Sequence, residues 1–262
     1  MTFTDPLAGK GVASTAELQA AALAWDTYDE RRDGPAHMPF FYTAMRYENW
    51  WGAGATREEL YSLANKHGIP VAWTPPARVL RDLVDAGPSH QAKLSVLEAA
   101  EDEVRAHCHA LMDECTSSWV ETGPEVGRHV LAAWDDGHRQ AAACLALAAA
   151  EDVMFAVARV DRSQKCKGLT TAASRPLLKK PWLVDRQIAL APIEPLFTQY
   201  FPEKNNPIPE TLSRHAVLHR LPLEHLNTGH SIVAIMLLVS LMRQAEQQAF
   251  EAEVDAQYYE ED

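Results

Sequence analysis

The chain has little cysteine and no paired cysteine motif. Its four cysteines, Cys108, Cys115, Cys144 and Cys166, are spread over 262 residues without a C-x-x-C pair. Disulfide-stapled small domains and cysteine-rich zinc modules place their cysteines at short, regular intervals. The sequence therefore excludes both classes and predicts reduced thiols in a cytoplasmic protein.

No apolar run in the sequence is long enough to predict a membrane span. The most apolar window, Ile232 to Met242, is interrupted by Ser240 and is far shorter than the roughly 20 residues that a span needs. We expect it to form a buried core helix. The first six residues have neither a positive region nor an apolar core, so no secretory signal is predicted. We expect no membrane partner.

Several motifs of common enzyme classes are absent. The chain has no Walker motif, no G-x-S-x-G and no glycine-rich phosphate loop, so ATP use and serine hydrolysis have no support. His215 and His219 are four residues apart and share one face of a helix. However, no glutamate follows His215, as a zinc-binding H-E-x-x-H motif requires. We predict no metal and no cofactor.

Positive charge is scarce in this chain. It has 24 Lys and Arg against 36 Asp and Glu, which gives a net charge of −12. This balance argues against the extended basic surface of a repressor or a histone, but it leaves room for a small cationic pocket. The main basic run lies in residues 161–181 and is either a solvated loop or a loop that follows phosphates.

Apolar residues at helical spacing fill most of the chain, and no segment alternates with period two. Val104, Cys108, Leu111 and Cys115 recur at intervals of four, three and four residues, which predicts one apolar stripe on a helix from about 90 to 117. We therefore predict an all-α protein. A second long helix is predicted from about 124 to 160, with a stripe formed by Val130, Trp134, Ala141, Leu145 and Ala148.

The Gly123-Pro124 pair suggests a boundary in the domain organisation. We predict an N-terminal helical region of unknown role in residues 1–122, a helical bundle in residues 123–245 and an acidic C-terminal tail in residues 246–262.

The chemically richest segment is Ser213 to His219, at the predicted start of a helix. Arg214 offers a planar fork of donors to a phosphate, and histidine is the side chain best suited to proton transfer near neutral pH. A helix N-terminus adds backbone donors for an anion. These groups are suited to a phosphodiester that is cleaved without metal. The alternative is that they are polar groups satisfied at a helix packing face.

The segment resembles the short signature of HEPN domains, in which an Arg precedes a His by four to six residues. Arg214 and His219 match that signature, and His215 lies where the family usually carries a polar residue. The proline-rich residues 201–209 before the Arg and the apolar helix predicted at 231–242 resemble the family too. The resemblance covers about residues 125–245, and it departs from many members at Arg220, where they carry Gly.

The resemblance implies a C-terminal HEPN-like helical bundle that acts as a metal-independent endoribonuclease of the toxin or anti-phage type. His219 would act as general base or general acid, Arg214 would neutralise charge on the phosphate, and His215 would orient the phosphate or take the second proton role. The long helix that precedes the motif often carries an acid toward this site in the family. Of the two candidates there, Glu151 and Asp152, we favour Glu151.

The resemblance also implies a homodimer whose subunits pair their motif helices into a composite site. The positions of Arg214 and His219 support this, because residues five apart lie roughly 140° around a helix from one another. An antitoxin or regulatory protein is a further expected partner, beside the RNA substrate.

Two other classes of function remain open. One is a non-catalytic HEPN-like module that binds RNA or protein. The other is a DNA-binding regulator that uses residues 56–86, where Thr56 and Glu59 predict a capping box and a helix that ends at Gly68. Pro75 and Pro76 oppose this, because they fall where a recognition helix should already be under way.

Overall fold

The structure is a computed structural model that describes residues 47–116, 123–158, 187–220, 222 and 224–259. By its internal contacts the chain divides into two compact units, Met1–Glu48 and Asn49–Asp262. Almost all of the first unit, and the basic run at 161–181, lie outside the described residues. The predicted boundary near residue 123 lies within the second unit, and the functional division there stays a prediction.

Every regular element among the described residues is helical, and none is a β-strand. The prediction of an all-α protein is confirmed. We number the α-helices in chain order as α1 (Glu48–Ala53), α2 (Arg57–Tyr61, continued by a π-helical turn, Ser62–Lys66), α3 (Ala77–Asp85), α4 (His90–Ala99), α5 (Glu101–Asp113), α6 (Gly123–Asp135), α7 (Arg139–Ala158), α8 (Ile193–Leu196), α9 (Arg214–His219) and α10 (Thr228–Tyr259).

Helix α10 is the central element of the bundle. Its side chains from Ile232 to Met242 are at most 5% exposed, and a helix that is apolar on all sides must be covered on all sides. It packs against α4, α5, α6 and, most extensively, α7. The prediction of a buried core helix is confirmed. The helix is longer than predicted, because it continues through residues 246–259 of the predicted acidic tail.

Two helices are long and apolar enough to cross a membrane by length and composition alone: α7 and residues Thr228–Ala249 of α10. They pack against each other, and 89% of the α10 window and 50% of the α7 window are buried within the protein. Core helices of globular proteins pass the same test, so the two helices are only a weak indication of a membrane.

The single helix predicted from 90 to 117 is wrong, because the chain breaks between α4 and α5 at Ala100 (φ −105°, ψ 17°). Glu101, Asp102 and Glu103 open the new helix, and acidic residues favour a helix N-terminus. The Glu101 carboxylate also accepts hydrogen bonds from Trp134 Nε1 and Arg139 Nε, both at 2.8 Å. The predicted stripe itself is confirmed, since Val104, Cys108, Leu111 and Cys115 are all buried.

The single helix predicted from 124 to 160 is also wrong. It divides into α6 and α7 at Gly137, whose φ of +80° suits glycine at a helix C-terminus. The part of the predicted stripe that lies on α7 is also wrong. Leu145 is 40% exposed, and Ala141 and Ala148 are exposed too. The buried residues of α7 include Ala142, Ala143, Ala146, Leu147 and Ala150.

The predicted capping box at the start of α2 is confirmed. Thr56 Oγ1 accepts from the Glu59 backbone N–H at 3.3 Å, and Glu59 Oε2 accepts from the Thr56 N–H at 2.8 Å. Gly68 follows with φ +66°. The next helix, α3, begins directly after Pro76. Proline fits the start of a helix but disrupts its interior, so the helix begins after this residue.

Candidate functional site

The motif helix α9 begins and ends with the two signature residues, Arg214 and His219. Ser213 caps its N-terminus: its Oγ accepts from the Ala216 N–H at 3.2 Å and donates to the Thr198 carbonyl at 2.6 Å. The Ser213 backbone N–H in turn donates to His225 Nε2 at 3.0 Å. The predicted helix start is thus present, and α9 packs against α7.

Arg214 and Glu151 form an ion pair between α9 and α7. Arg214 Nη2 donates to Glu151 Oε2, and the two side chains are 18% and 28% exposed. Arg214 Nε is buried and has no partner within the part of the chain that the structure describes. A charge-assisted bond between half-buried groups holds the guanidinium in place, so Glu151 determines where Arg214 points.

His215 and His219 lie next to each other on α9. Their ring centroids are 5.2 Å apart, and the edge of the His215 ring meets Phe201 at 4.9 Å. His215 Nδ1 accepts the Tyr200 backbone N–H at 3.3 Å, so in the neutral ring the proton is on Nε2. His215 is half-buried and His219 is exposed.

The four predicted site residues therefore form two contacting pairs on two neighbouring helices. One pair is Glu151 with Arg214, and the other is His215 with His219. Arg214 and His219 lie at opposite ends of a six-residue helix. Arg214 therefore contacts α7, whereas His219 is exposed. This arrangement offers a phosphate-binding cation and a solvent-facing imidazole from one short helix.

A second group of histidines is buried in the core and was missed by the sequence reasoning. His67 and His90 stack at 5.7 Å between centroids, and His90 Nε2 lies 3.1 Å from His230 Nε2. His230 Nδ1 donates to the His225 carbonyl at 2.6 Å. We call these four residues the histidine cluster. No sequence signal joins them, because His67 and His90 are far along the chain from His225 and His230.

Burial keeps the histidine cluster neutral. Desolvation is the main cause that lowers the pKa of His67, His90 and His225 to about 4 each. Burial also lowers the pKa of His230, although the carbonyls of His225 and Glu210 and the charge of Glu98 oppose that shift. The Glu210 carbonyl is 3.1 Å from His230 Nε2. In the neutral His230 ring Nε2 carries no proton, so it cannot donate to the Glu210 carbonyl. It accepts a hydrogen bond from His90 Nε2 instead.

A cavity of about 230 Å³ opens beside the histidine cluster. Its lining includes His90, His225 and His230, together with Glu210, Glu224 and Asn227. Glu210 and Glu224 are exposed, whereas the three imidazoles are at most 4% exposed. The lining is thus mixed: it combines two exposed acidic residues and three buried neutral rings with the apolar side chains of Leu94, Ile208 and Pro209.

The described residues contain no group of three or more His, Cys, Asp or Glu that could hold a metal ion. Two cysteines of the described part are also unsuited to thiolate chemistry. Burial raises the pKa of Cys108 to about 12 and that of Cys115 to about 11, and thiols with such values are inert near neutral pH.

No family model matches the chain, and neither a curated protein nor a solved structure matches it. The resemblance to HEPN domains therefore rests on the sequence signature and stays a prediction.

Proposed function

We propose that this protein is a HEPN-like, metal-independent endoribonuclease of the toxin or anti-phage type. The observation that carries the proposal is the arrangement of α9, which begins with Arg214 on Glu151 of α7 and ends with the exposed His219 beside His215. A cation for the phosphate and an imidazole for proton transfer are the minimum that RNA cleavage requires when the nucleophile belongs to the substrate.

The proposed reaction begins when His219 removes the proton of a ribose 2′-hydroxyl. The 2′-oxygen attacks the adjacent phosphorus, and the bond from phosphorus to the 5′-oxygen of the next nucleotide breaks. The leaving oxygen takes up a proton from water, so the products are a 2′,3′-cyclic phosphate and a 5′-hydroxyl, and the protonated His219 then returns its proton to solvent. Arg214 stabilises the negative charge that builds on the phosphate oxygens. In the neutral ring His215 carries its proton on Nε2 and can donate a hydrogen bond to a phosphate oxygen.

Glu151 acts in this proposal as a positioning residue. Its carboxylate fixes the Arg214 guanidinium from α7, and fixed donors stabilise a transition state more than mobile donors do. The sequence reasoning favoured Glu151 over Asp152, and Glu151 is the acid that contacts Arg214.

The active form in this proposal is a homodimer. Arg214 faces α7 and His219 is exposed at the other end of α9, so a second copy that apposes its own α9 would complete a composite site. The protein would act on RNA in the cytoplasm without a membrane partner, and an antitoxin or regulatory protein would hold it inactive.

A non-catalytic binding module is the second candidate. It is favoured by the ion pair between Arg214 and Glu151, which already satisfies part of the guanidinium within the chain. The DNA-binding alternative has less support, because the arginines of α3 are engaged by carboxylates. Arg78 contacts Asp82 and Glu103, and Arg81 contacts Asp85.

The deciding experiment is cleavage of total cellular RNA by the purified full chain in EDTA. Wild type is compared with His219→Ala and Arg214→Ala, and with His129→Ala and Arg78→Ala as surface controls of the same residue types. We expect cleavage that persists in EDTA, leaves 2′,3′-cyclic phosphate ends, disappears in the first two variants and is unchanged in the controls.

Cleavage that needs a divalent metal, or that is unchanged in His219→Ala, would overturn the proposal. Absence of cleavage together with RNA binding that is equal in wild type and His219→Ala would instead support the binding module.

A further inference from the structure

The cavity beside the histidine cluster lies close to the motif helix along the chain. His225 lines the cavity and accepts the backbone N–H of Ser213 at 3.0 Å, and Ser213 directly precedes Arg214. Glu210, another lining residue, lies four residues before Arg214. Four residues span at most about 14 Å, so the cavity is near any phosphate that Arg214 would hold.

The charge of the cavity selects against a phosphate as its ligand. Glu210 and Glu224 line it, and neither Lys nor Arg is among its described lining residues. Ionised carboxylates only accept hydrogen bonds. A ligand that fits this side of the cavity is therefore uncharged or cationic and presents N–H donors.

The buried side of the cavity presents ring nitrogens. His225 Nε2 accepts from Ser213, so its neutral ring carries a proton on Nδ1. No described residue accepts from that nitrogen. An unpartnered N–H of a cavity-lining residue is a group that a ligand can satisfy.

We propose that the cavity is a subsite for a guanine base, which belongs to the nucleotide next to the scissile phosphate. The inference rests on the proposed ribonuclease function, because that function makes RNA the source of the base. Guanine presents N–H donors at N1 and N2 to a carboxylate of Glu210 or Glu224. Its O6 and N7 are acceptors for the His225 N–H.

The same groups discriminate against the other purine. Adenine has a lone pair at N1 where guanine has an N–H, so a carboxylate that faces this edge meets a lone pair and gains one hydrogen bond at most. The aliphatic side chains of Leu94 and Ile208, which also line the cavity, offer apolar contact to the face of a base.

The first test is calorimetric titration of the full chain with guanosine, inosine, adenosine and cytidine at neutral pH. Nucleosides carry no phosphate, so their binding does not depend on Arg214. Inosine lacks only the N2 amino group of guanosine. A hydrogen bond from this group to a charged acceptor predicts that guanosine binds roughly tenfold more tightly than inosine, and adenosine more weakly still.

The matched variants are Glu210→Gln, Glu224→Gln and their combination, since each keeps the size of the side chain and removes its charge. We expect guanosine affinity to fall by about tenfold in at least one single variant and furthest in the combination. Glu203→Gln is the control, because Glu203 is also an exposed acid of this segment but pairs with Arg220 outside the cavity.

Two results would overturn the guanine subsite. One is guanosine binding that is absent or no tighter than that of inosine and adenosine. The other is guanosine binding that is unchanged in the combined Glu210→Gln and Glu224→Gln variant.

Cleavage mapping separates this inference from the proposed function. RNA cleavage with no preference for a neighbouring guanine would overturn the subsite and leave the ribonuclease intact. Selective guanosine binding that persists in Arg214→Ala, in a protein that cleaves no RNA, would support the subsite and overturn the ribonuclease.

Discussion

The two groups of histidines in this protein lie in opposite environments. His215 and His219 are on a short helix at the surface, and His219 is exposed. The histidine cluster of His67, His90, His225 and His230 is at most 5% exposed, and burial lowers the pKa of each of its members. The same side chain is thus available for proton transfer to a substrate in one place and is a neutral core group in the other.

The comparison also shows how the two regions are connected. His225 belongs to the buried cluster, yet its Nε2 accepts the N–H of Ser213, which caps the motif helix. A neutral imidazole can accept this hydrogen bond, whereas a protonated one cannot. The buried cluster therefore supports the local geometry of the surface site.

The largest effect that we expect is on cleavage by His219→Ala. Removal of a general base or acid typically costs about 10²- to 10⁴-fold in rate, whereas loss of an exposed side chain changes stability by less than about 0.5 kcal/mol. RNA cleavage rates and urea unfolding of the variant and wild type measure both quantities. Normal cleavage by His219→Ala would contradict a role of His219 in proton transfer. Unfolding at much lower urea would show that His219 contributes to stability, as the buried histidines do.

His230→Ala should show the reverse pattern. The substitution removes the donor to the His225 carbonyl and the partner of His90 Nε2, and it leaves a hole in the core. Buried unsatisfied groups cost on the order of 1–3 kcal/mol each, so we expect a clearly lower midpoint of urea unfolding. His129→Ala, at an exposed position on α6, is the control and should unfold as wild type does. If both variants unfold alike, His230 is not a core group.

Glu151→Gln tests the positioning of Arg214 with a smaller expected effect. The amide keeps the size of the side chain but weakens the bond to the guanidinium, because charge-assisted bonds are about twice as strong as neutral ones. We expect kcat for RNA cleavage to fall by about tenfold with little change in KM, since a misplaced donor loses transition-state stabilisation. Glu151→Asp should restore part of the loss. A purely structural role would instead lower stability and leave kcat of the folded protein unchanged.

A pH dependence of stability is also expected from the histidine cluster. The pKa values of His67, His90 and His225 are about 4 in the folded protein, against an ordinary value of 6.5 for histidine. Between these values the unfolded chain binds more protons than the folded chain, so stability is fully present above about 6.5 and is lost as pH falls toward 4. Urea unfolding at pH 7 and pH 5 measures this slope.

The variant His90→Gln should reduce that slope, and His129→Ala should not. An unchanged slope in His90→Gln would show that His90 does not contribute to the pH dependence.

Local sequence patterns predicted the elements of the fold well where local forces form them. The capping box of Thr56 and Glu59 and the helix start at Ser213 both involve hydrogen bonds within a few residues. The same patterns failed at Ala100 and Gly137, where one long stripe of apolar residues was interpreted as one helix. No glycine or proline marks the break at Ala100, and the Glu101 carboxylate that follows it contacts Trp134 and Arg139, which only the fold brings near.

By itself, the sequence determined that the chain is helical, that residues 232–242 are buried and that Arg214 and His219 lie on one short helix. These properties follow from apolar spacing and from caps that act over three or four residues. Only the tertiary structure decided that Glu151 contacts Arg214, 63 residues away, and that four histidines meet in the core. The packing of α4 and α7 against α10, and of α9 against α7, places these side chains, and such packing depends on the whole set of helices at once.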